Sequence, residues 1–424
     1  MDCNIPNERI GVIGLGYVGL PLAALFASRY KVTGYDISTR RVGEINDLQD
    51  STREVSPEAL EAAFNNGMTC TALKRYLREC TFYIVAVPTP VNSNHEPDLR
   101  HLASASRMLG EIISRGDVVV FESTVYPGTT EEYCIPIIEK VSGLKCDKDF
   151  MAGYSPERVN PGDKVHTVEN ICKIVSGSSP EAVERIGRVY SSVITGGIYK
   201  APSIKVAEAA KIIENTQRDV NIAFINEVAK VFNALEIDTK EVIEAAATKW
   251  NFIRFEPGLV GGHCISVDPY YLIKKAELHG LHPRLMTEAR NVNESMGYYL
   301  ADSVVEALNK RGKRVSEAKI LILGFSFKKD CPDIRNTKTY DTLTRLLGYG
   351  SHVVVYDPVV DPAAVAREYA DIPFTGDFES VKGSGPYDVV VHCVAHKCFN
   401  GLDIGSVRAP GCVDCGIVSP GVNV

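Results

Sequence analysis

The residue types best suited to chemistry fall in one short string, Gly261-Gly262-His263-Cys264-Ile265-Ser266-Val267-Asp268. A thiol follows a glycine pair and precedes a carboxylate by four residues. The glycines let the backbone approach a ligand closely and turn into a predicted helix start at Cys264. Unpaired N–H groups and the positive dipole end would lower a thiol pKa there. On a helix, Asp268 would share the face of Cys264. A buried structural cysteine is the plain alternative. Far upstream, an apolar run ends in Gly14-x-Gly16-x-x-Gly19, a helix-like stretch follows, and a second apolar strand, Lys31 to Tyr35, ends at Asp36. Gly14 suits a tight turn, Gly16 the close approach of pyrophosphate and Gly19 the packing of helix on strand, with Tyr17 and Val18 in the same loop. Phosphate then sits on the helix N-terminus and the acid holds ribose hydroxyls, which favours NAD over NADP. Arg41 is either a mild counter-signal or a neighbour of the adenine. Such a cofactor accepts hydride from an alcohol. Simple alcohol oxidation needs no thiol, so the cysteine points to covalent capture of the aldehyde and a second oxidation to the acid.

These groups must be positioned by alternating strands and helices. Phe82–Val87 and Asp117–Phe121 read as buried parallel strands. They are followed by Pro88-Thr89-Pro90 and by Glu122-Ser123-Thr124-Val125-Tyr126-Pro127-Gly128-Thr129-Thr130. Ligands of open α/β sheets bind outside the carboxyl ends of strands. There the hydroxyls of Thr89, Ser123 and Thr124 either face the cofactor or serve only as turn caps. Further apolar runs lie near 150–154 and 171–176. Apolar spacing predicts one long helix from about Pro202 to Leu235. On it Glu208, Lys211 and Asn215 form a stripe that either lines a ligand or is a solvated face. A second strand–helix alternation uses Lys319–Gly324, His352–Pro358, Tyr387–His392 and Gly411–Asp414. The expected fold is α/β, with two Rossmann-like doubly wound parallel-sheet domains joined by a long central helix: 1–201 for NAD, 202–312 central, helical and dimer-forming, 313–424 for the nucleotide sugar.

Composition narrows the classes. The chain has 424 residues, 45% of them hydrophobic and 23% charged, with a net charge of −7. That balance is ordinary for a globular protein and argues against a general nucleic-acid binder. No apolar run is long enough to cross a bilayer, and residues 1–8 do not read as a signal peptide. Twelve scattered cysteines suggest a reducing compartment, so a cytoplasmic protein is expected. Cys412-x-x-Cys415, near His392, Cys393, His396 and Cys398, has metal-ligand spacing. However, His392 and Cys412 fall in predicted strands whose alternate residues face opposite ways, so no metal is expected.

Taken in order, Gly14–Leu20, Pro88–Pro90, Ser123–Thr130, Ser155–Glu157, Glu208–Asn215, Gly261–Asp268 and Phe325–Arg335 closely resemble the UDP-glucose/GDP-mannose dehydrogenases over nearly the whole chain. Tyr154–Asp163, Asn215–Asn221 and Gly258–Cys264 look like the UDP-N-acetylhexosamine branch, the bacterial UDP-N-acetylglucosamine and UDP-N-acetylgalactosamine 6-dehydrogenases of surface-polysaccharide synthesis. The resemblance implies two-step oxidation of C6 through a Cys264 thiohemiacetal and thioester. Lys211, Asn215, Glu157, Asp268 and Thr124 would divide proton transfer, oxyanion stabilisation and water activation among them. Substrate contacts would come from Glu157, Arg158, Val159, Asn160, Lys211, Asn215, Arg218, Gly261 and Lys328, and Arg335 would reach the cofactor. A neighbouring subunit would lend Lys249 or Arg254. UDP-glucose dehydrogenases often carry an acid where Pro161 stands here, which implies a pocket remodelled for an N-acetyl group. UDP-glucose and UDP-N-acetylmannosamine remain alternative substrates. Two rival readings are a one-step hydroxyacid-type dehydrogenase, which would leave Cys264 unexplained, and a non-catalytic nucleotide-sugar binder. The partners expected are a UDP-sugar and a second copy of the chain, since apolar residues cover more than one face of the long helix.

Overall fold

The computed structural model describes residues 8–92, 94–159, 165–417 and 420–422. The chain divides into two compact units, residues 1–214 with 270–280 and residues 215–269 with 281–424. The first is built on an eight-stranded sheet: β1 (Arg9–Ile13), β2 (Lys31–Tyr35), β3 (Thr69–Thr71), β4 (Phe82–Val85), β5 (Val118–Phe121), β6 (Met151–Tyr154), β7 (Lys173–Gly177) and β8 (Ile198–Lys200). The order is β3-β2-β1-β4-β5-β6-β7-β8, parallel throughout except where β7 runs against β6. The central strands are buried on both faces, so they are continuous apolar runs without polar alternation. Val118 and Val120 pack into one core layer, while Val119 and Phe121 pack into the other. The order reverses at β1, whose neighbours are β2 and β4, and this switch point is where an open sheet binds ligands.

The second unit holds a six-stranded sheet of β9 (Lys319–Leu323), β10 (His352–Tyr356), β11 (Phe374–Thr375), β12 (Tyr387–His392), β13 (Arg408–Cys415) and β14 (Pro420–Val422). Its order is β11-β10-β9-β12-β13-β14, with β14 antiparallel. Both sheets open with the same turn. Gly14 and Gly324 have φ of 91° and 88°, a conformation that favours glycine. Gly14 N–H donates to the Tyr35 carbonyl and Gly324 N–H to that of Tyr356. The next amide, of Leu15 or Phe325, donates to Asp36 or Asp357. Short edge strands aside, every strand of the sequence reading is present. Cys412 and Cys415 pack into different core layers of the second sheet, as their odd spacing on a strand requires.

The long helix spans Ile204–Ala234. Its second half carries Asp219, whose carboxylate takes Arg290 Nη1 at 2.5 Å and Asn293 Nδ2 at 2.7 Å, all from the helix Arg284–Lys310. Asn293 in turn accepts from Asn226 Nδ2 at 2.9 Å. Asn226 also grips the backbone of Gly258 at both ends, donating to its carbonyl at 3.0 Å and accepting its N–H at 2.9 Å. A buried polar chain thus runs from the helix pair to the loop that leads to Cys264.

Candidate active site

The glycine loop leaves room for a dinucleotide where the spacing requires it. A Cβ on Gly14 would sit 2.7 Å from the Ala86 carbonyl oxygen and one on Gly19 1.8 Å from that of Gly14, whereas Gly16 has nothing within 4 Å. Gly14 and Gly19 are therefore fixed by packing, and Gly16 by the open approach that a pyrophosphate needs. Tyr17 and Val18 complete the loop, and the helix begins at Gly19. Asp36 accepts from the Leu15 and Ser38 amides, one on each oxygen at 2.9 Å, and it is half-buried. Ile37, 83% exposed, stands beside it as an apolar surface that the sequence reading passed over.

Two side chains of this region have protein partners that the spacing did not show. The Arg41 guanidinium is committed to the protein: Nε donates to the Leu15 carbonyl at 2.8 Å, Nη1 to Ser51 at 3.0 Å and Nη2 to Asp50 at 2.7 Å. It ties the glycine loop to the following turn. The Ser123 hydroxyl gives its proton to the Val87 carbonyl at 2.6 Å and so joins the ends of β4 and β5. Thr89 and Thr124 also lie at strand ends, and both are half-buried. The Thr89 carbonyl accepts from the Tyr271 hydroxyl at 2.8 Å.

Glu157 follows β6 and is held from three sides. Oε1 accepts the Arg158 amide at 2.6 Å and the Val159 amide at 2.7 Å, and Oε2 lies 3.1 Å from Lys173 Nζ. Arg158 pairs with Glu214 at 2.7 Å and donates to the Cys172 carbonyl. Asn160 lies outside the described residues. Glu208, read as part of a polar stripe on a ligand-facing or solvated face, is neither. It is fully buried, and its carboxylate accepts the Gly128 and Thr130 amides at 2.5 and 2.9 Å. Burial pushes this carboxyl up to about 7. The signal for that role was Gly128-Thr129-Thr130 itself, an acceptor-hungry start of a helical turn.

Lys211, buried, Asn215 and the exposed Arg218 occupy one face of the long helix at i, i+4 and i+7. Asn215 Nδ2 donates to Asp268 Oδ2 at 2.5 Å, and Asp268 is buried. The regular helix begins at Asp268, not at Cys264 as expected. The thiol instead sits in the entering turn, where the Cys264 carbonyl accepts the amides of Val267 and Asp268 at 3.1 and 2.8 Å. This helical bond from Asp268 to Cys264 still puts the two on one face. The glycines before it are required by crowding. A Cβ on Gly261 would meet the Asn336 carbonyl oxygen at 2.6 Å, and one on Gly262, with φ of 84°, would meet the Phe327 ring at 2.7 Å. Asn336 Nδ2 donates to the Gly262 carbonyl at 2.9 Å. On the same loop Lys328 is half-buried, and Arg335 is paired with Asp333 through Nε at 3.0 Å and Nη2 at 2.5 Å. Lys249 and Arg254 are both exposed on an irregular segment, with Arg254 paired to Glu256 at 3.0 Å.

The first unit's sheet with its open phosphate approach, and in the second unit a thiol, a carboxylate and an amide on hydrogen-bonded turns, are the parts that an NAD-dependent oxidoreductase requires. Models of three successive domains match the chain: the NAD binding domain over residues 8–194, the central domain over 205–295 and the UDP binding domain over 321–419. The chain belongs to the UDP-glucose/GDP-mannose dehydrogenase family. It is 48% identical over 407 residues to a UDP-N-acetyl-D-glucosamine 6-dehydrogenase of Salmonella typhi, covering 96% of this chain and 94% of the relative. It is also 48% identical over 416 residues to the protein CapL of Staphylococcus aureus, covering 97% and 95%. The solved structure of a UDP-D-ManNAc dehydrogenase from Pyrococcus horikoshii superposes with a TM-score of 0.85 at 32% identity, covering 97% of this chain and 99% of the other.

Proposed function

We propose that the chain oxidises C6 of UDP-N-acetylglucosamine twice, to the uronate, for bacterial surface-polysaccharide synthesis. The observation that carries this reading is the Cys264 turn, which brings a thiol onto one face with an Asp268 carboxylate locked by Asn215. The likeness to UDP-N-acetyl-D-glucosamine 6-dehydrogenases supports the substrate. NAD, when bound at the glycine loop, supplies the hydride acceptor for both oxidations. Lys211, or water held by Asp268, takes the proton of the C6 hydroxyl. The Cys264 thiolate adds to the aldehyde carbon, and the resulting thiohemiacetal oxygen is stabilised by Lys211 and Asn215. The second oxidation leaves a thioester. Water, activated by Glu157 or oriented by Asp268 and Thr124, adds to its carbonyl and expels the thiolate. The balance is one alcohol, one water and two NAD consumed for one carboxylate, two NADH and three protons. Around this centre Arg158, Val159, Arg218, Gly261 and Lys328 provide the sugar and nucleotide contacts.

NADH production measured across UDP-N-acetylglucosamine, UDP-N-acetylgalactosamine, UDP-N-acetylmannosamine and UDP-glucose tests the reading. The expected outcome is a preference for the first, two NADH for each uronate and little free aldehyde. One NADH per product, with aldehyde accumulating, contradicts it.

The working unit in this proposal is at least a dimer joined along the long helix, with Lys249 or Arg254 lent to the partner. Val206, Ile213, Phe224 and Val231 recur at spacings that 3.6 residues per turn brings to one face, and all four are exposed, Ile213 by 61% and Phe224 by 64%. An apolar stripe of this length is usually buried by self-association. Mass in solution at micromolar concentration should be that of two or more chains. Trp250, the sole tryptophan and 92% exposed, gives a second readout through its fluorescence on dilution. A fully active monomer would refute the dimer.

A further inference from the structure

The proposed route leaves Lys173 without a role, although it is completely buried at the start of β7. Its ammonium lies 2.6 Å from Glu122 Oε2 and 3.1 Å from Glu157 Oε2. Glu122, also buried, directly precedes Ser123 and Thr124, and its other oxygen accepts from the Tyr190 hydroxyl on the helix Pro180–Ser191. The Tyr190 ring lies 5.8 Å from the same ammonium. Ser155 turns its hydroxyl to the Ile174 carbonyl, and the Arg158 guanidinium at the outer edge is paired with Glu214. Among the described residues the interior of the cluster therefore holds one cation and two carboxylates.

Two carboxylates enclosed around one cation repel each other, which favours a proton on one of them. The donor sets decide which. Glu157 receives two backbone amides and the ammonium, all favouring its charged form, while Glu122 receives the ammonium and one hydroxyl in full enclosure. The electrostatics agree. Burial pushes the Glu122 carboxyl up to about 7 against the pull of Lys173. At Glu157 burial is outweighed by Lys173 and the two amides, which hold the group below the ordinary glutamate range.

We propose that Lys173 is a positioning residue for acid release: its ammonium fixes the Glu157 carboxylate in its charged form and orientation, while Glu122 accommodates the surplus proton. The inference rests on Glu157 serving the hydrolytic step. If Glu157 works as an anion, activity falls as pH drops through its pKa, and removing the ammonium must move that acidic limb upward.

Steady-state uronate formation as a function of pH, in the wild type and in K173M, K173R, E122Q and E157Q, tests the proposal. The acidic limb of K173M should rise by about one pH unit or more, with part of the activity regained at high pH. K173R should keep the wild-type limb, and in E122Q it should stay or fall. A uniform loss in K173M with an unmoved limb would mean a merely structural lysine and would overturn the proposal. Infrared difference spectra between mildly acidic and mildly alkaline pH decide the matter even if K173M fails to fold. Because the buried Glu208 carboxyl is also pushed up to about 7, the protonated-carboxyl band should weaken in E122Q by one carboxyl's share and stay whole in E157Q, and the reverse pattern refutes the assignment. Should E157Q release uronate at the wild-type rate, the hydrolytic role of Glu157 fails, while the infrared result still reports on the cluster.

Discussion

Cys264→Ser is expected to abolish steady-state uronate formation, with a loss on the order of 10³-fold or more, while NAD binding stays intact. The size follows from the chemistry. A serine hydroxyl at neutral pH is almost wholly protonated, whereas a thiol yields a usable fraction of strongly nucleophilic thiolate. Cysteine and serine differ little in volume, so the turn that holds position 264 should survive: Asp268 N–H still has the residue-264 carbonyl to bond, and Asn215 still holds Asp268. The measurement is NADH release and uronate in the steady state, with cofactor affinity taken separately by titration. If the variant keeps most of its turnover, the thiol is only a packed side chain and the covalent route is wrong.

The largest effect on stability is expected from Arg290→Met. The Arg290 and Asp219 side chains are 1% and 0% exposed, and removal of one member of a buried pair leaves the other charge without compensation. Such losses run at roughly 3–5 kcal/mol. Burial already pushes the Asp219 carboxyl above its ordinary value, and Arg290 opposes that rise. Without the guanidinium the folded-state pKa climbs further above the unfolded one. The variant's deficit should therefore be small in acid and grow as pH rises. Thermal unfolding at several pH values checks this, and a variant as stable as wild type at neutral pH would refute it. Because the same pair supports Asn293, Asn226 and the Gly258 backbone, the variant should also lose activity below its melting transition. Asp219→Leu combined with Arg290→Met should recover part of the stability, since an apolar pair of similar volume carries no stranded charge.

The elements were legible where the pattern is local. The glycine triplet, the apolar strands ending at Asp36 and Phe121, and the long helix all follow from spacings of a few residues. The turns of the Cys264 loop also follow from sequence, because Gly261 and Gly262 leave space that a Cβ would fill. The parts not legible are pairings between distant segments. Ser123 gave no sign of its bond to the Val87 carbonyl, which lies just past β4. Arg41 gave no sign of its bonds to the Leu15 carbonyl and Asp50. Glu208 read as one of a stripe, but its partners, the Gly128 and Thr130 amides, lie about 80 residues away in sequence. Lys173 gave no signal at all, since one lysine at the edge of an apolar run is indistinguishable from a solvated strand end. The start of the helix at Asp268 was missed because Pro269 fits a first helical turn, which favours that start over the glycine pair.

The repeated opening turn of the two sheets bears on how often the cofactor must be exchanged. In the first sheet Asp36 is only half-buried, and Gly16 stands before open space. In the second, Asp357 is entirely enclosed. It accepts the Phe325, Ser326 and Val359 amides and His396 Nε2, and the buried Ser326 stands where the first sheet has Gly16. Of the two copies, the first keeps the open glycine approach that a dinucleotide needs. On the proposed route each sugar then sees a single docking station twice, so spent NADH has to leave and fresh NAD enter midway through the reaction. The sulfur bond becomes a mooring that keeps the half-oxidised sugar from drifting off during that interval. NADH, competing at both visits to the station, should slow the enzyme more steeply than one encounter per product would allow.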